Sequence, residues 1–366
     1  MSKIISIATG VPSYKHKQED LFSFAEKIYC HDETESRKLK FLYNHSGIES
    51  RYSVVPDYST SLSERILFPA SDDLEPFPSL EKRMKIFNDH ASVLSAKTIE
   101  DCIAGKIKKE DITHLITVSC TGMSAPGIDL QVMEILGLSQ NIVRTSVNFM
   151  GCYAAVHALK IANAFCNSSE NANVIIVCTE LCTLHFQKDP SPDNITSSLL
   201  FADGCAAILV QNSDTNNKGI QVNNFFSDVS FKGKKDMAWE LSSKGFLMTL
   251  TGYVPDLIKE DFKSLVDKAL DNAGKKVEDI THWCIHPGGK KILESISSSL
   301  RITNEPLKYS YDVLKEYGNM SSPTILFVLK KILSEFEQGN VDENNLVFGA
   351  AFGPGLTMET FTATYA

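Results

Sequence analysis

A cysteine at the junction of a predicted strand and a predicted helix is the residue of this chain best placed to act as a nucleophile. Cys152 follows Gly151 and stands between an alternating, β-branched run at 142–147 and a run rich in alanine, leucine and isoleucine at 154–165. A helix dipole favours anions at the N-terminus, which lowers the pKa of a thiol there. The neighbouring glycine lets a substrate approach closely because it has no Cβ. We therefore expect Cys152 to attack a thioester and take its acyl group.

Two further polar side chains occupy helix-entry loops beside glycines. His286 ends a predicted strand ahead of Gly288, and Asn319 follows Gly318 ahead of a predicted helix. An imidazole N–H and an amide NH₂ can both donate to the oxyanion of a thioester carbonyl, or to the enolate left when a malonyl group loses CO₂. The imidazole can also hold the cysteine thiolate as an ion pair. These residue types therefore suit thioester condensation.

Alternating strands and helices must position these loops. Predicted strands lie at 115–119, 142–147, 174–178, 206–210, 282–285 and 345–348, and predicted helices lie at 128–136, 154–165, 262–273, 290–300 and 324–336. Strands joined by helical crossovers imply parallel sheets covered by helices. The polar stretch 211–219 is typical of a connection between halves. We predict an α/β fold with two similar halves, residues 1–213 and 214–366, although no residue-level repeat is visible.

Composition excludes several classes of protein. The chain has 366 residues, a net charge of −9 and no apolar run long enough to span a membrane. The negative charge argues against non-specific nucleic-acid binding and requires a local basic patch for any anionic substrate. Nine cysteines without a C-x-x-C pair predict reduced thiols in a cytoplasmic protein without a metal site. Cys182, Cys205 and Cys284 are interpreted as packing residues, and His185 as a packing residue with cavity lining as its alternative.

Six segments resemble the type III polyketide synthases, the chalcone synthase-like branch of the thiolase-fold condensing enzymes. They are 148–152, 178–181, 200–204, 285–289, 317–322 and 352–357, and they follow the family's order over essentially the whole chain. The resemblance implies a thiolase-like duplicated fold, with a mixed five-stranded sheet layered between helices in each half. It also implies a homodimer that has no metal or cofactor and uses free acyl-coenzyme A and malonyl-coenzyme A. Cys152 matches the nucleophile, and His286 and Asn319 match the pair that supports decarboxylation and stabilises the oxyanion.

The resemblance also implies roles around the cavity. Phe201 matches the gatekeeper aromatic between the coenzyme A tunnel and the cavity. Glu180 matches a buried carboxylate of the cavity wall, and Ser321 matches a cavity serine. Gly353 and Pro354 match the loop that shapes the cyclisation chamber.

The tunnel mouth departs from the plant members of the family. Lys38 keeps a basic position, but Phe41 and His45 stand where plant members have basic residues. Lys290 and Lys291 can supply compensating charge, since cations at a helix N-terminus are otherwise disfavoured. We therefore expect Lys38 and Lys291 to contact the coenzyme A phosphates.

The cavity departs from plant members as well. Trp239 stands at a position that is glycine in plant chalcone synthases, and Met248 at a phenylalanine position. The surrounding segment resembles bacterial members, many of which extend fatty acyl starters into alkylresorcinols or alkylpyrones. Trp239 would block the plant-type pocket, so an acyl chain would need a different tunnel.

The predicted reaction is repeated decarboxylative condensation on Cys152, followed by cyclisation to an alkylresorcinol or alkylpyrone. Two alternatives remain open at this point. One is a ketoacyl synthase III-type enzyme that performs a single condensation with an acyl carrier protein. The other is a non-catalytic acyl-binding homologue, which the intact Cys, His and Asn positions disfavour.

Overall fold

A computed structural model of the chain describes residues 1–339 and 345–366. The strands are β1 (Ser2–Gly10), β2 (Tyr14–Lys17), β3 (Ser50–Ser53), β4 (His114–Ser119), β5 (Val143–Asn148), β6 (Asn173–Leu181), β7 (Asp203–Asn212), β8 (Ile220–Val229), β9 (Met237–Ser242), β10 (Gly245–Leu250), β11 (His282–Ile285), β12 (Val347–Gly353) and β13 (Thr357–Tyr365). The α-helices are α1 (Gln18–Tyr29), α2 (Glu33–His45), α3 (Leu80–Ile103), α4 (Ile128–Leu136), α5 (Ala154–Ser168), α6 (Pro192–Leu200), α7 (Val254–Asn272), α8 (Lys290–Leu300), α9 (Lys308–Tyr317) and α10 (Thr324–Glu337).

Nine of these strands form one mixed sheet in the order β11-β12-β13-β8-β1-β7-β6-β4-β5. In the first half β4 runs parallel to β5 and β6, and β7 is antiparallel to β6 and β1. The second half repeats this order, because β11, β12, β13 and β8 are arranged as β4, β6, β7 and β1 are. The predicted α/β fold with two similar halves is therefore confirmed.

The strands of the two halves, expected as mixed five-stranded sheets, join into one continuous sheet. Within the described residues the first half contributes five strands and the second half four. They join because Ser2–Ile4 of β1 pairs antiparallel with Ile220–Val222 of β8. The polar connection predicted between the halves turns the chain back after β7, which brings β8 beside β1. The sheet is therefore continuous from one half to the other.

Three hydrophobic clusters give the molecule alternating layers of helix and sheet. Residues of α3 and α4 cover one face of the first-half strands, and residues of α7 and α8 cover one face of the second-half strands. Residues of α5 and α10 pack together with strand residues of both halves. Successive strand residues point to opposite faces, so Leu115 faces the α3 side and Ile116 the α5 side. Both faces of these strands are covered, which explains their continuous apolar runs.

Local sequence signals set several of these boundaries as predicted. The strand at 282–285 and the helices at 128–136 and 290–300 have the expected bounds. Helix α4 ends at Gly137, whose φ of +64° favours glycine. The loop that follows β11 therefore starts where the sequence places it, and β5 is shifted by one residue from the predicted 142–147.

No helix in residues 1–339 and 345–366 is long and apolar enough to cross a membrane.

The shared central layer gives a test of stability. Leu329 of α10 is fully buried in the cluster that unites the two halves. We expect Leu329→Ala to lower the free energy of unfolding by about 2–5 kcal/mol, because it removes buried methylene groups and leaves a cavity. The same truncation at Leu42 of α2, which is 42% exposed, should change it by less than about 1 kcal/mol. Urea denaturation of both variants measures the difference, and equal losses would contradict the assigned layer.

Candidate active site

Cys152 lies in a tight turn that joins β5 to α5. Phe149 and Gly151 have φ values of +59° and +76°, and a short 3₁₀ turn at Gly151–Tyr153 leads into the helix. A Cβ on Gly151 would lie 2.2 Å from Cδ of Pro354, so only glycine fits there. A non-glycine residue in the left-handed region is uncommon and concentrates at functional sites. The predicted position of Cys152 at a strand-to-helix junction is confirmed.

The expectation that the pKa of Cys152 is lowered is wrong. Burial raises the pKa of the Cys152 thiol to about 12, and the negative charge of Glu180 acts in the same direction. Hydrogen bonds with Ser321 and Asn319 oppose this shift, and Cys152 Sγ lies 3.7 Å from Ser321 Oγ. Desolvation therefore outweighs the field of the helix terminus, and the resting thiol is neutral.

Asn319 is fixed by both its backbone and its side chain. Its N–H donates to Leu200 O at 2.9 Å, and its carbonyl accepts from the N–H of Ala202 at 2.9 Å. Its Oδ1 accepts from the N–H of Ser321 at 2.8 Å, and its Nδ2 donates to Gly288 O at 3.2 Å. The amide NH₂ is thereby oriented as a donor beside Cys152.

His286 lies at the end of β11 and is 1% exposed. Burial lowers the pKa of its imidazole to about 3, so the ring is neutral. Neither ring nitrogen has a hydrogen-bond partner in the part of the chain that the structure describes. A Cβ on Gly288 would lie 3.7 Å from Nε2, and Asn319 donates to that glycine's carbonyl. Asn319 therefore contacts Cys152 and, through the carbonyl of Gly288, the loop that carries His286.

A cavity of about 80 Å³ opens against Cys152. The sequence-predicted site residues that line it are Phe201, Ser321, Met248, Trp239 and Pro354. Gly353 lies behind the lining, where its absent Cβ would meet Cys152 N at 3.3 Å. Met248 pairs with Trp239 across β9 and β10, so one two-stranded ribbon supplies both side chains.

Glu180 also lies behind the lining and is fully buried. Its Oε2 accepts from the N–H of Cys120 at 2.9 Å and from Thr121 Oγ1 at 2.7 Å. Its Oε1 accepts from Ser322 Oγ at 2.9 Å. Burial raises the pKa of this carboxyl to about 7, although these hydrogen bonds oppose the shift. Glu180 therefore connects the loop after β4 to the loop that carries Asn319.

Sequence reasoning missed an aromatic cluster in the cavity wall. The ring of His185 stacks on Phe246 with centroids 4.4 Å apart, and Trp239 meets both rings edge-on at 5.7 and 5.9 Å. Cys182 also lines the cavity, so its interpretation as a packing residue is wrong. Their position in the sequence could have indicated that Cys182 and His185 line the cavity, because both directly follow β6, the strand that carries Glu180.

The two lysines expected to bind coenzyme A lie outside this cavity. Lys38 on α2 and Lys291 on α8 are exposed, and neither forms an ion pair with a described residue. Gly47, which follows α2, lies against Lys290 at the start of α8, where a Cβ would meet the lysine Cδ at 3.3 Å. The end of α2 and the start of α8 are therefore neighbours.

No group of three or more His, Cys, Asp or Glu side chains in the described ranges could hold a metal ion.

Comparison with known proteins covers nearly the whole chain. The profile of the chalcone and stilbene synthases, N-terminal domain, matches residues 1–214, and that of the C-terminal domain matches residues 226–364. The chain is 30% identical over 361 residues to the "Alpha-pyrone synthesis polyketide synthase-like Pks18" of Mycobacterium tuberculosis, covering 97% of this chain and 89% of the relative. It is 27% identical to "Type III polyketide synthase C" of Arabidopsis thaliana, covering 98% of this chain and 94% of the relative.

A solved structure agrees with these matches. The crystal structure of PKS-I from the brown alga Ectocarpus siliculosus superposes with a TM-score of 0.93 at 26% identity, covering 100% of this chain and 98% of the other. The thiolase-like fold implied by the sequence resemblance is thus confirmed. The chain belongs to the chalcone and stilbene synthase family and is a type III polyketide synthase.

Proposed function

We propose that Cys152 takes the acyl group of an acyl-coenzyme A and carries it through successive condensations with malonyl-coenzyme A. The observation that carries this proposal is the position of the Cys152 thiol, which opens on the cavity and contacts Ser321 and Asn319. His286 and Asn319 serve as the hydrogen-bonding pair, and coenzyme A thioesters are substrates of an enzyme without a resident cofactor.

Loading begins with a neutral thiol and a neutral imidazole. Their shifted pKa values, about 12 for Cys152 and about 3 for His286, favour the uncharged forms of both. As Sγ attacks the thioester carbonyl, the thiol proton passes to His286, whose ring nitrogens have no partner among the described residues. The carbon–sulfur bond to coenzyme A then breaks, and the leaving thiolate takes up the proton. An acyl thioester on Cys152 remains.

Extension uses the same donors. Malonyl-coenzyme A loses CO₂, and the electron pair of the broken carbon–carbon bond forms an enolate on the thioester. The Asn319 Nδ2 group and a protonated nitrogen of His286 donate to the enolate oxygen, and burial makes these hydrogen bonds stronger than they are in water. The enolate carbon attacks the acyl group on Cys152 and releases the thiolate. The freed Cys152 thiolate then attacks the lengthened coenzyme A thioester, coenzyme A leaves as its thiolate, and the chain on Cys152 enters the next round and finally cyclises.

The apolar lining of the cavity favours an aliphatic starter. Leu21, Phe24, Met237 and Met248 line it together with Cys152. Burial of methylene groups against such side chains is favourable. The relative from Mycobacterium tuberculosis is named for α-pyrone synthesis. We propose an alkylpyrone or alkylresorcinol as the product.

Lys38 and Lys291 contact the coenzyme A phosphates, since these exposed lysines form no ion pair with a described residue.

A homodimer forms through the edge strand β5 and the neighbouring α4, where Val143 and Ile135 are 47% and 50% exposed. Unpaired strand edges with exposed apolar residues favour pairing with a second copy.

Covalent loading tests the role of Cys152. Incubation of the wild type with an acyl-coenzyme A, without a carrier protein, should add the mass of one acyl group. Cys152→Ala should show no adduct because the nucleophilic sulfur is gone. Cys182→Ala, which removes another cavity thiol, should keep the adduct. Intact-protein mass spectrometry distinguishes these results, and an equal adduct on Cys152→Ala would refute the assignment.

Release of CO₂ from malonyl-coenzyme A tests the oxyanion donors. Asn319→Ala should slow decarboxylation by about 10²–10³-fold, because it removes one donor to the enolate oxygen. Asn141→Ala, on an exposed turn before β5, should leave the rate within a factor of about two of the wild type. Release of labelled CO₂ from labelled malonyl-coenzyme A gives the rate of decarboxylation for each variant. Equal rates in the two variants would exclude Asn319 from the reaction.

The pH dependence of stability tests the environment of Glu180. Its folded pKa of about 7 exceeds its ordinary value of 4.5, so the folded protein holds a proton that the unfolded chain releases. The contribution of Glu180 to stability is therefore full below pH 4.5 and is lost as pH rises to 7. Glu180→Gln, which stays neutral, should unfold with a weaker pH dependence than the wild type in that window. Denaturation at several pH values measures the change in the free energy of unfolding with pH. Glu260→Gln, which alters an exposed carboxyl, is the control. An unchanged pH dependence in Glu180→Gln would show that the Glu180 carboxyl is not buried.

A further inference from the structure

Two stacked aromatic rings stand on the exposed side of α2, outside the cavity. The rings of Phe41 and His45 have centroids 4.0 Å apart and an interplanar angle of 26°. His45 Nδ1 donates to Phe41 O at 2.8 Å, which fixes the orientation of the imidazole. Phe41 is nevertheless 60% exposed. One face of its ring is therefore covered by His45 and the other is open to a planar ligand, and we name this pair the aromatic platform.

Exposed lysines flank the aromatic platform. Lys38, Phe41 and His45 are spaced three and four residues apart, so their side chains share one face of α2. The contact of Gly47 with the start of α8 brings the first turn of that helix, which includes Lys291, to the same end of α2. In a chain with a net charge of −9, the platform therefore lies in a locally basic region.

The acidic side chains at the end of α2 and the start of α8 are already paired with other lysines. Glu49 Oε1 lies 3.2 Å from Lys315 Nζ, and Glu294 Oε1 lies 3.8 Å from Lys290 Nζ. These pairs leave the charges of the flanking lysines to an anionic ligand.

A planar base that carries phosphates is the ligand that this arrangement fits. An aromatic side chain stacks on a nucleobase, and one such contact strengthens binding by about 5- to 150-fold. Lysine ammonium groups bind phosphates as point charges. Coenzyme A combines an adenine base with phosphates, and adenine is the only aromatic group in its aliphatic acyl thioesters.

We propose that the aromatic platform binds the adenine base of coenzyme A thioesters, with the open face of Phe41 stacked on the base. The proposal rests on the proposed function, in which these thioesters are the substrates and Lys38 and Lys291 contact the phosphates. Phe41 and His45, which stand where plant members have basic residues, thus contribute to substrate binding by stacking in place of ion pairing.

Binding of coenzyme A itself tests the aromatic platform without any reaction. Phe41→Ala should raise the dissociation constant by at least about fivefold, because the stacking ring is gone. Phe41→Trp, which keeps an aromatic face, should bind as the wild type does. Phe231→Ala removes another exposed phenylalanine, in the turn after β8, and should leave the dissociation constant unchanged. Isothermal titration calorimetry gives all four values.

Loading from a thioester that has no nucleotide shows whether Phe41 acts on the adenine. The concentration that gives half the maximal rate of loading on Cys152 should rise in Phe41→Ala with an acyl-coenzyme A. With the same acyl group on N-acetylcysteamine, that concentration should match the wild-type value. Intact-protein mass spectrometry measures the rate of adduct formation with both thioesters.

The outcomes separate this proposal from the proposed function. An unchanged dissociation constant in Phe41→Ala, or no binding of coenzyme A to the wild type, overturns the aromatic platform. An equal rise with both thioesters overturns it as well, because Phe41 would then act on the site and not on the base. Absence of any adduct on the wild type overturns the acyl-loading reaction instead, and the calorimetry still decides whether Phe41 binds the adenine.

Discussion

Two backbone hydrogen bonds between the halves of the chain organise the whole site. Asn319 lies between Leu200 and Ala202, donating to the first and accepting from the second. This short bridge places the amide of the second half beside the nucleophile of the first. It also fixes Phe201, whose carbonyl accepts from Arg51. A site assembled in this way needs both halves of the fold, because neither supplies the thiol, the imidazole and the amide together.

Burial then determines the charge states in the site. Removal of Cys152, His286 and Glu180 from water favours the neutral form of each, and the pKa values shift accordingly. A neutral site with oriented donors is suited to charge that appears only during the reaction. A buried thiolate–imidazolium pair would require desolvation of two ions. The hydrogen-bond donors are in place before the oxyanion or enolate forms.

Sequence patterns predicted the elements and the three polar residues, because these depend on local signals. Apolar periodicity placed β11 and α8, and adjacent glycines marked the loops of Cys152 and Asn319. The pKa of Cys152 was predicted in the wrong direction, since burial depends on residues far away in the chain. The stacking of His185 on Phe246 and the part of the cavity beside α1 were missed for the same reason. Single-sheet continuity was missed because short β1–β8 pairing leaves no periodic signal.

That continuity has a consequence for how the chain can be divided. Strand β1 has β7 on one side and β8 on the other. A fragment that stopped at the connection after β7 would leave one side of β1 with unpaired amide and carbonyl groups, and such a border invites self-association. The apolar faces of α10 would be missing from the central layer as well. Separately produced halves would thus tend to aggregate, whereas both sides of β1 are paired in the intact chain.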